Sequence, residues 1–153
     1  MPAFLCNGML GKLCKLMRMC GFDTAYSNEG TSILVKARRE NRIILTRNTR
    51  LHSDAHVHYL TASDPLEQLN TVITTHGLKK NIKILSRCLE CNVSLQPIER
   101  SAVQDRIPYY TYQNFNKFSK CPVCHKIYWK GSHYKRMINS ISEVLHTIDP
   151  KKG

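Results

Sequence analysis

The stretch "AFLCNGMLGKLCKLMRMCG", residues 3–21, decides how the rest of the chain is read. Its first four residues form an apolar run of strand length. From Met9 onward the pattern changes to a helical period, with Met9, Leu13, Leu16, Met17 and Cys20 on one stripe and Lys12, Lys15 and Arg18 on another. Gly21 supplies a helix C-cap. A strand running directly into a helix is the opening unit of an α/β protein. Asn7 stands at the junction, where it is a natural N-cap. An enzyme that gathers cations at strand ends would place a carboxylate there.

The same alternation continues downstream. "TSILVKARREN" (31–41) predicts a helix with Ile33, Leu34 and Ala37 inward, followed at once by "RIILT" (42–46), a buried strand. After a histidine-bearing loop, "HVHYLT" (56–61) alternates as a strand. "SDPLEQLNTVITTHG" then opens a helix with Asp64 as N-cap, Pro65 at the first helical position and Glu67 in the capping-box place, and Gly77 closes it. Strands alternating with helices predict a mainly parallel sheet wrapped by helices.

Ligands of such sheets gather outside the carboxyl ends of the strands. Asn7, Asn48 and Asp64 are expected just beyond those ends, and Asp23 joins them if "GFDTAYS" is another strand edge. A helix cap explains Asp64 equally well, and a turn explains Asp23. The chain has no nucleophile elbow, Walker loop or GxGxxG, which disfavours nucleotide-cofactor chemistry.

The sharpest motif lies further on. "SRCLECN" (86–92) and "KCPVCHKIYWKGSH" (120–133) present Cys88, Cys91, Cys121 and Cys124 as two CxxC pairs separated by 29 residues, the pattern of a four-cysteine zinc ribbon. A small basic segment with few core residues needs such a metal in place of hydrophobic burial. Four thiolates leave no open coordination position, so the zinc is read as structural. A haem-attachment or redox reading of "CPVCH" leaves the first pair unexplained. Cys6, Cys14 and Cys20 are read as small reduced core residues. Arg87, Arg106, Lys120, Lys126 and Lys130 lie among Tyr109, Tyr110, Tyr112, Tyr128 and Trp129, the mixture of cations and aromatic faces that single-stranded nucleic acid requires. Packing of the ribbon core explains Tyr128 and Trp129 as well. A final amphipathic helix is expected over 132–146, with Tyr134, Met137, Ile138, Ile141 and Leu145 inward, and "DPKKG" is read as a frayed tail.

The net charge is +12, from 23 Lys and Arg against 11 Asp and Glu. Residues 1–80 carry 11 basic and 6 acidic groups and residues 81–153 carry 12 and 5, so both parts can meet one polyanion. Four zinc-bound thiolates would lower the net charge to +10. No apolar run reaches membrane-spanning length, and the N-terminus lacks the pattern of a secretory signal, so a cytoplasmic protein without a membrane partner is expected. Three segments are expected: an α/β domain over 1–82, a zinc ribbon over 83–132, and a C-terminal helix and tail over 133–153.

The blocks "FLCNGMLGKLCKLMRMCGFDT", "RIILTRN", "SDPLEQL", "SRCLECN", "DRIP" and "CPVCHKIYWKGSHYKRM", in that order, resemble the Mut-seven C-terminal ribonuclease domain, a PIN-like domain joined to a zinc ribbon. The resemblance spans nearly the whole chain. It implies a metal-dependent endoribonuclease acting on RNA phosphodiesters, with clustered carboxylates holding Mg2+ or Mn2+. It also implies aspartates at positions 7 and 48, where this chain has asparagine, and acidic residues near Gly30, Thr31 and Ser32, where only Glu29 is close. Asp23 and Asp64 match. The expected catalytic set is therefore Asn7, Asp23, Asn48 and Asp64, short of two charges and weak in cation affinity. Lys12, Lys15, Arg47, Arg50, Arg87, Arg106 and Lys130 are expected near RNA. A non-catalytic zinc-ribbon RNA-binding module is the alternative, and an adaptor for an acidic protein a third.

Overall fold

The computed structural model describes residues 1–30, 32–51 and 55–146. The expected tail, Thr31 and part of the histidine-bearing loop lie outside the described residues. Four strands, β1 (Ala3–Asn7), β2 (Thr24–Ser27), β3 (Arg42–Thr46) and β4 (Val57–Tyr59), form a parallel sheet in the order β2-β1-β3-β4. Helices α1 (Gly11–Met19), α2 (Ile33–Glu40) and α3 (Pro65–Thr75) connect or follow these strands.

Side-chain alternation along the strands divides the core between the two faces. Phe4, Cys6 and Leu45 face a large cluster that includes Leu13 and Met17 of α1, Leu69, Val72 and Ile73 of α3, and Ile141 and Leu145 of the last helix. Leu5 and Ile44 face a smaller cluster with Ile33 and Ala37 of α2 and Leu51. Both α1 and α3 end as the sequence predicts. Gly21 has φ +91, its N–H donates to Arg18 O, and Phe22 N–H reaches Met17 O. Gly77 repeats the pattern with φ +62 and bonds to Thr74 O, while Leu78 N–H reaches Ile73 O. These are paired Schellman bonds, which satisfy carbonyls left open at a helix end. Asp64 caps α3 by accepting the Glu67 N–H at 3.1 Å.

The start of α1 differs from expectation. Asn7 is the last residue of β1, and a turn over residues 8–10 separates it from a helix whose N-cap position is Leu10. Met9, expected on the inward stripe, is 94% exposed with φ +74. The turn absorbs the geometry that an Asn cap would have supplied.

Beyond α3, strands β5 (Gln96–Ile98), β6 (Phe118–Lys120) and β7 (Ile127–Tyr128) make an antiparallel ribbon in the order β5-β6-β7, with α4 (Tyr109–Asn114) in the long insert. Val103, Phe118 and Ile127 form its small private core. Helix α5 (Ser132–His146) leaves the ribbon and packs against α3. Leu85, Cys88, Leu89, Cys121 and Tyr128 belong to the same buried cluster as the sheet face, so hydrophobic packing is continuous from sheet to ribbon.

Candidate functional site

The sheet order puts a topological switch point between β1 and β3, because the chain leaves β1 toward β2 and then returns to the other side of β1. The crevice above such a point is where open parallel sheets bind ligands. Asn7 ends β1 and Thr46 ends β3, and the Thr46 hydroxyl donates to Asn7 Oδ1 at 3.0 Å. The same hydroxyl oxygen accepts the Asn48 N–H at 2.9 Å. Asn48 Oδ1 in turn accepts the Arg50 N–H at 3.0 Å, an Asx-type turn that starts a short 3-10 segment. Asn7 and Asn48 are thus brought to one rim through Thr46. Asp64 lies beyond the end of β4, on the same side of the sheet. The loop that carries it is fixed at Ala62 O, which accepts from Arg47 and from buried Gln68. Gly8 fits the rim because Asn28 Oδ1 would stand 2.6 Å from a Cβ at that position.

Asp23 is not part of this rim. It precedes β2, its carbonyl accepts the Phe4 N–H at the start of β1, and its carboxylate takes hydrogen bonds from Arg42 at 2.8 Å and Asn92 Nδ2 at 2.7 Å. Register places Phe4 opposite Thr24 and Asn7 opposite Ser27, so Asp23 and Asn7 occupy opposite ends of the strands. In a parallel sheet a residue before a strand cannot meet residues that follow its neighbours. Burial raises the Asp23 carboxyl, but the bonds from Arg42 and Asn92 outweigh it and hold the group below its ordinary range. Asp23 therefore fastens sheet to ribbon. Arg18 adds to the joint, donating to Thr24 O at 2.8 Å and Leu89 O at 2.8 Å, while Asn92 Oδ1 accepts the Thr24 N–H at 2.9 Å.

The basic residues separate into two groups. Lys12 and Lys15 are exposed on α1 and, with Asp64, Pro65, Leu66 and Met137, line a groove of about 340 Å³. Arg50 is exposed beside the rim, and Lys130 is exposed on the ribbon. Arg87, by contrast, is half-buried and donates to Asn92 O at 2.7 Å. Arg47 donates to Thr61 O at 2.7 Å, and Arg106 to His125 O at 2.8 Å. These three hold backbone carbonyls. The sequence reading also passed over His58 and His76, whose Nδ1 and Nε2 lie 3.2 Å apart between β4 and the end of α3. Burial lowers both imidazoles from their ordinary value, and His76 lowers His58 further. The spacing of 18 residues gave no local signal of that pairing.

The four predicted cysteines come together. The sulfurs of Cys88, Cys91, Cys121 and Cys124 all lie within 4.8 Å of one another, and Cys88 and Cys124 are 3.7 Å apart. Tetrahedral zinc with Zn–S of about 2.3 Å sets S···S near about 3.8 Å, so the set fits such an ion. The two knuckles share the same turn bonds, and Val123 N–H adds one more to Cys121 Sγ at 3.4 Å. Cys91 N–H points to Cys88 Sγ and Cys124 N–H to Cys121 Sγ, each at 3.4 Å. Asn92 N–H meets Cys88 O and His125 N–H meets Cys121 O, each at 3.0 Å, with φ +60 and +65 at the two turning residues. Burial raises the Cys121 thiol, but the N–H groups of Cys124 and Val123 and the adjacent thiols lower it, while the neighbouring thiols Cys91 and Cys124 are held up by burial and by the same cluster. Donors aimed at sulfur favour the thiolate that a metal needs. His125 and His133 are not members of the set.

A hard divalent cation asks for a different donor set. Mg2+ or Mn2+ needs charged oxygens converging on one point. At the rim, Asp64 is engaged as a helix cap, and Glu29 Oε2 accepts from Ser32 Oγ at 3.2 Å. Among the described residues, the four cysteines are the one group of three or more His, Cys, Asp or Glu side chains gathered closely enough to hold a metal. The described rim residues are not gathered into such a group.

No helix among the described residues is long and apolar enough to cross a membrane. No curated protein and no solved structure matches the chain significantly. The profile of the Mut7-C RNAse domain matches residues 2–141, and with the parallel sheet, the carboxyl rim and the four-cysteine cluster already described, this chain belongs to the Mut7-C RNAse domain family.

Proposed function

We propose that this protein binds RNA across its carboxyl rim and ribbon, on a ribonuclease fold whose own metal-dependent cleavage is much weakened. The observation that carries the reading is the chain Asn7–Thr46–Asn48 at the switch point: the Thr46 hydroxyl joins the Asn7 side chain to the Asn48 backbone N–H, and at both positions a neutral amide stands where a cation cage would need charge. An amide oxygen can coordinate a cation but brings no charge to hold it. The surrounding cations keep the affinity for a phosphodiester. Lys12 and Lys15 flank Asp64 across the groove, Arg50 stands beside Asn48, and Lys130 extends the basic surface onto the ribbon. The net charge of +12 supports long-range attraction of the same partner.

The test compares the protein with its Asn7→Asp/Asn48→Asp double variant, reading RNA affinity against salt and cleavage in Mn2+. The expected outcome is affinity that falls steeply with salt, little cleavage by the protein itself, and cleavage at least about tenfold faster in the double variant, as befits a restored electrostatic site. Affinity indifferent to salt would remove the RNA reading. A double variant that gains nothing would remove the cation-site reading. Efficient cleavage before any substitution would favour a fully active metal-dependent endoribonuclease.

A further inference from the structure

A second cavity, of about 540 Å³, opens on the ribbon away from the rim. Its volume falls in the range of about 300–1,000 Å³ typical of small-ligand sites. One wall is the end of α4 and the residues after it, Asn114, Phe115, Asn116 and Lys117; the other is Trp129 with Lys130. Both aromatic rings are half-buried, whereas the two amides and the two lysines are exposed. Flat rings inside and cations with amides at the mouth match a nucleotide, whose base stacks and pairs by its edge while its phosphate stays in water.

Both walls are held in place before any ligand arrives. Arg100 donates to Phe115 O and Tyr112 O, and its guanidinium lies 3.8 Å from the Tyr112 ring centroid, which pins the first wall. The Trp129 ring meets Phe118 edge to face at 6.2 Å, and Phe118 is buried in the ribbon core. Gly131 is close-packed beneath it: a Cβ there would stand 2.7 Å from Trp129 Nε1. A preordered aromatic slot loses little freedom on binding.

We infer that the cavity between Phe115 and Trp129 is a subsite for one unpaired nucleobase of a single-stranded RNA, with Lys117 and Lys130 on the adjoining phosphates. The inference rests on the RNA reading above and adds to it a place on the ribbon and a preference for unpaired strands. It also gives the ribbon a role separate from the rim, since Lys12, Lys15 and Asp64 do not line this cavity.

Trp129 is the single tryptophan of the chain, so its fluorescence reports directly on the cavity. The experiment titrates the full protein with a short single-stranded oligoribonucleotide, the same sequence as a duplex, and polyphosphate, while a gel-shift assay follows total binding. The single strand is expected to quench Trp129, whereas polyphosphate, which has phosphates but no bases, leaves it nearly unchanged. The duplex is expected to bind without comparable quenching. Phe115→Ala should weaken single-strand affinity roughly tenfold to a hundredfold. Because that variant touches the cavity wall, Lys117→Ala/Lys130→Ala at exposed positions serves as the second probe and should weaken the quenching titration with the melting temperature unchanged. Lys12→Ala/Lys15→Ala should lower total binding while leaving saturated quenching intact. RNA that binds with no change in Trp129 emission, or quenching that polyphosphate or duplex reproduces, would overturn the subsite and leave the RNA reading standing. Failure of every RNA to bind would remove both. Quenching by an aromatic peptide at lower concentration than by RNA would reassign the slot to a protein partner.

Discussion

The sheet unit and the ribbon solve the same problem by different means. Between the sheet and its helices, Phe4, Leu13, Met17, Leu45, Leu69 and Val72 are all fully buried, and removal of such area from water is what holds that half. The ribbon has a smaller private core, in which Val103, Phe118 and Ile127 are buried and Ile98, Ile107, Tyr112, Phe115 and Trp129 pack half-buried against them, with short strands around it. It adds to the packing shared with the sheet face through Leu85, Leu89 and Tyr128 four sulfurs placed to hold one ion and a few side chains that reach across to the sheet. One half is held by many small contributions, while the other leans also on a few large ones. A single substitution should therefore be far more damaging in the ribbon.

The largest effect is expected at the metal centre. Cys121→Ser, or a strong chelator, should remove zinc, lower the melting temperature and shift Trp129 emission to the red, because full loss of a structural four-cysteine site forfeits on the order of 10 kcal/mol. Metal analysis should show one zinc per chain before and none after. A chelated protein that melts unchanged would mean that burial alone supports the ribbon.

A smaller effect is expected at the joint. Asp23→Ala removes the carboxylate held by Arg42 and Asn92; with the side chain 40% exposed and partly screened, the cost should be about 1–2 kcal/mol. Because the folded carboxyl is held below its ordinary value, its contribution is complete above that ordinary value, near about pH 4. It is lost as pH falls through the folded value. Denaturant titrations at pH 7 and pH 3 should thus show the gap between protein and variant narrowing with acid. A gap that stays constant would place the effect in packing.

The smallest effect belongs to the sheet side. His58 and His76 are lowered by burial, so the fold favours their neutral forms; their contribution is present above the ordinary histidine value and is lost as pH falls below it. His76→Phe retains a ring against Phe4 and should reduce the loss of stability between pH 7.5 and pH 5.5 by about 0.5 kcal/mol after screening. Melting curves at the two pH values measure the difference.

What the sequence disclosed follows from the range of each signal. The ends of α1 and α3 were legible because Gly21, Gly77, Asp64, Pro65 and Glu67 act within one helical turn. The four cysteines were legible because their chemistry leaves few alternatives at that spacing. Asn7 was misplaced as a cap because the helical stripe was carried back through Met9, although Asn7-Gly8 is itself a turn dipeptide and Met9 adopts a left-handed conformation that methionine rarely takes. Asp23 was misassigned because its partner Asn92 is 69 residues away, although its position before "TAYS" already implied the amino end of a parallel strand. The cavity beside Trp129 needs a wall from residues 114–117, which only the folded insert brings near.

The joint made by Asn92 has a consequence for self-association. Strand β2 borders the sheet, and such a border is a template for another chain unless its polar groups are covered. At Thr24 both are covered, the N–H by Asn92 and the carbonyl by Arg18. Asn92 reaches that place from the left-handed turn of a cysteine knuckle. Stripping the ion should loosen the turn, uncover the border and let molecules pair strand to strand, so that metal-free protein clouds in solution while its helices are still intact.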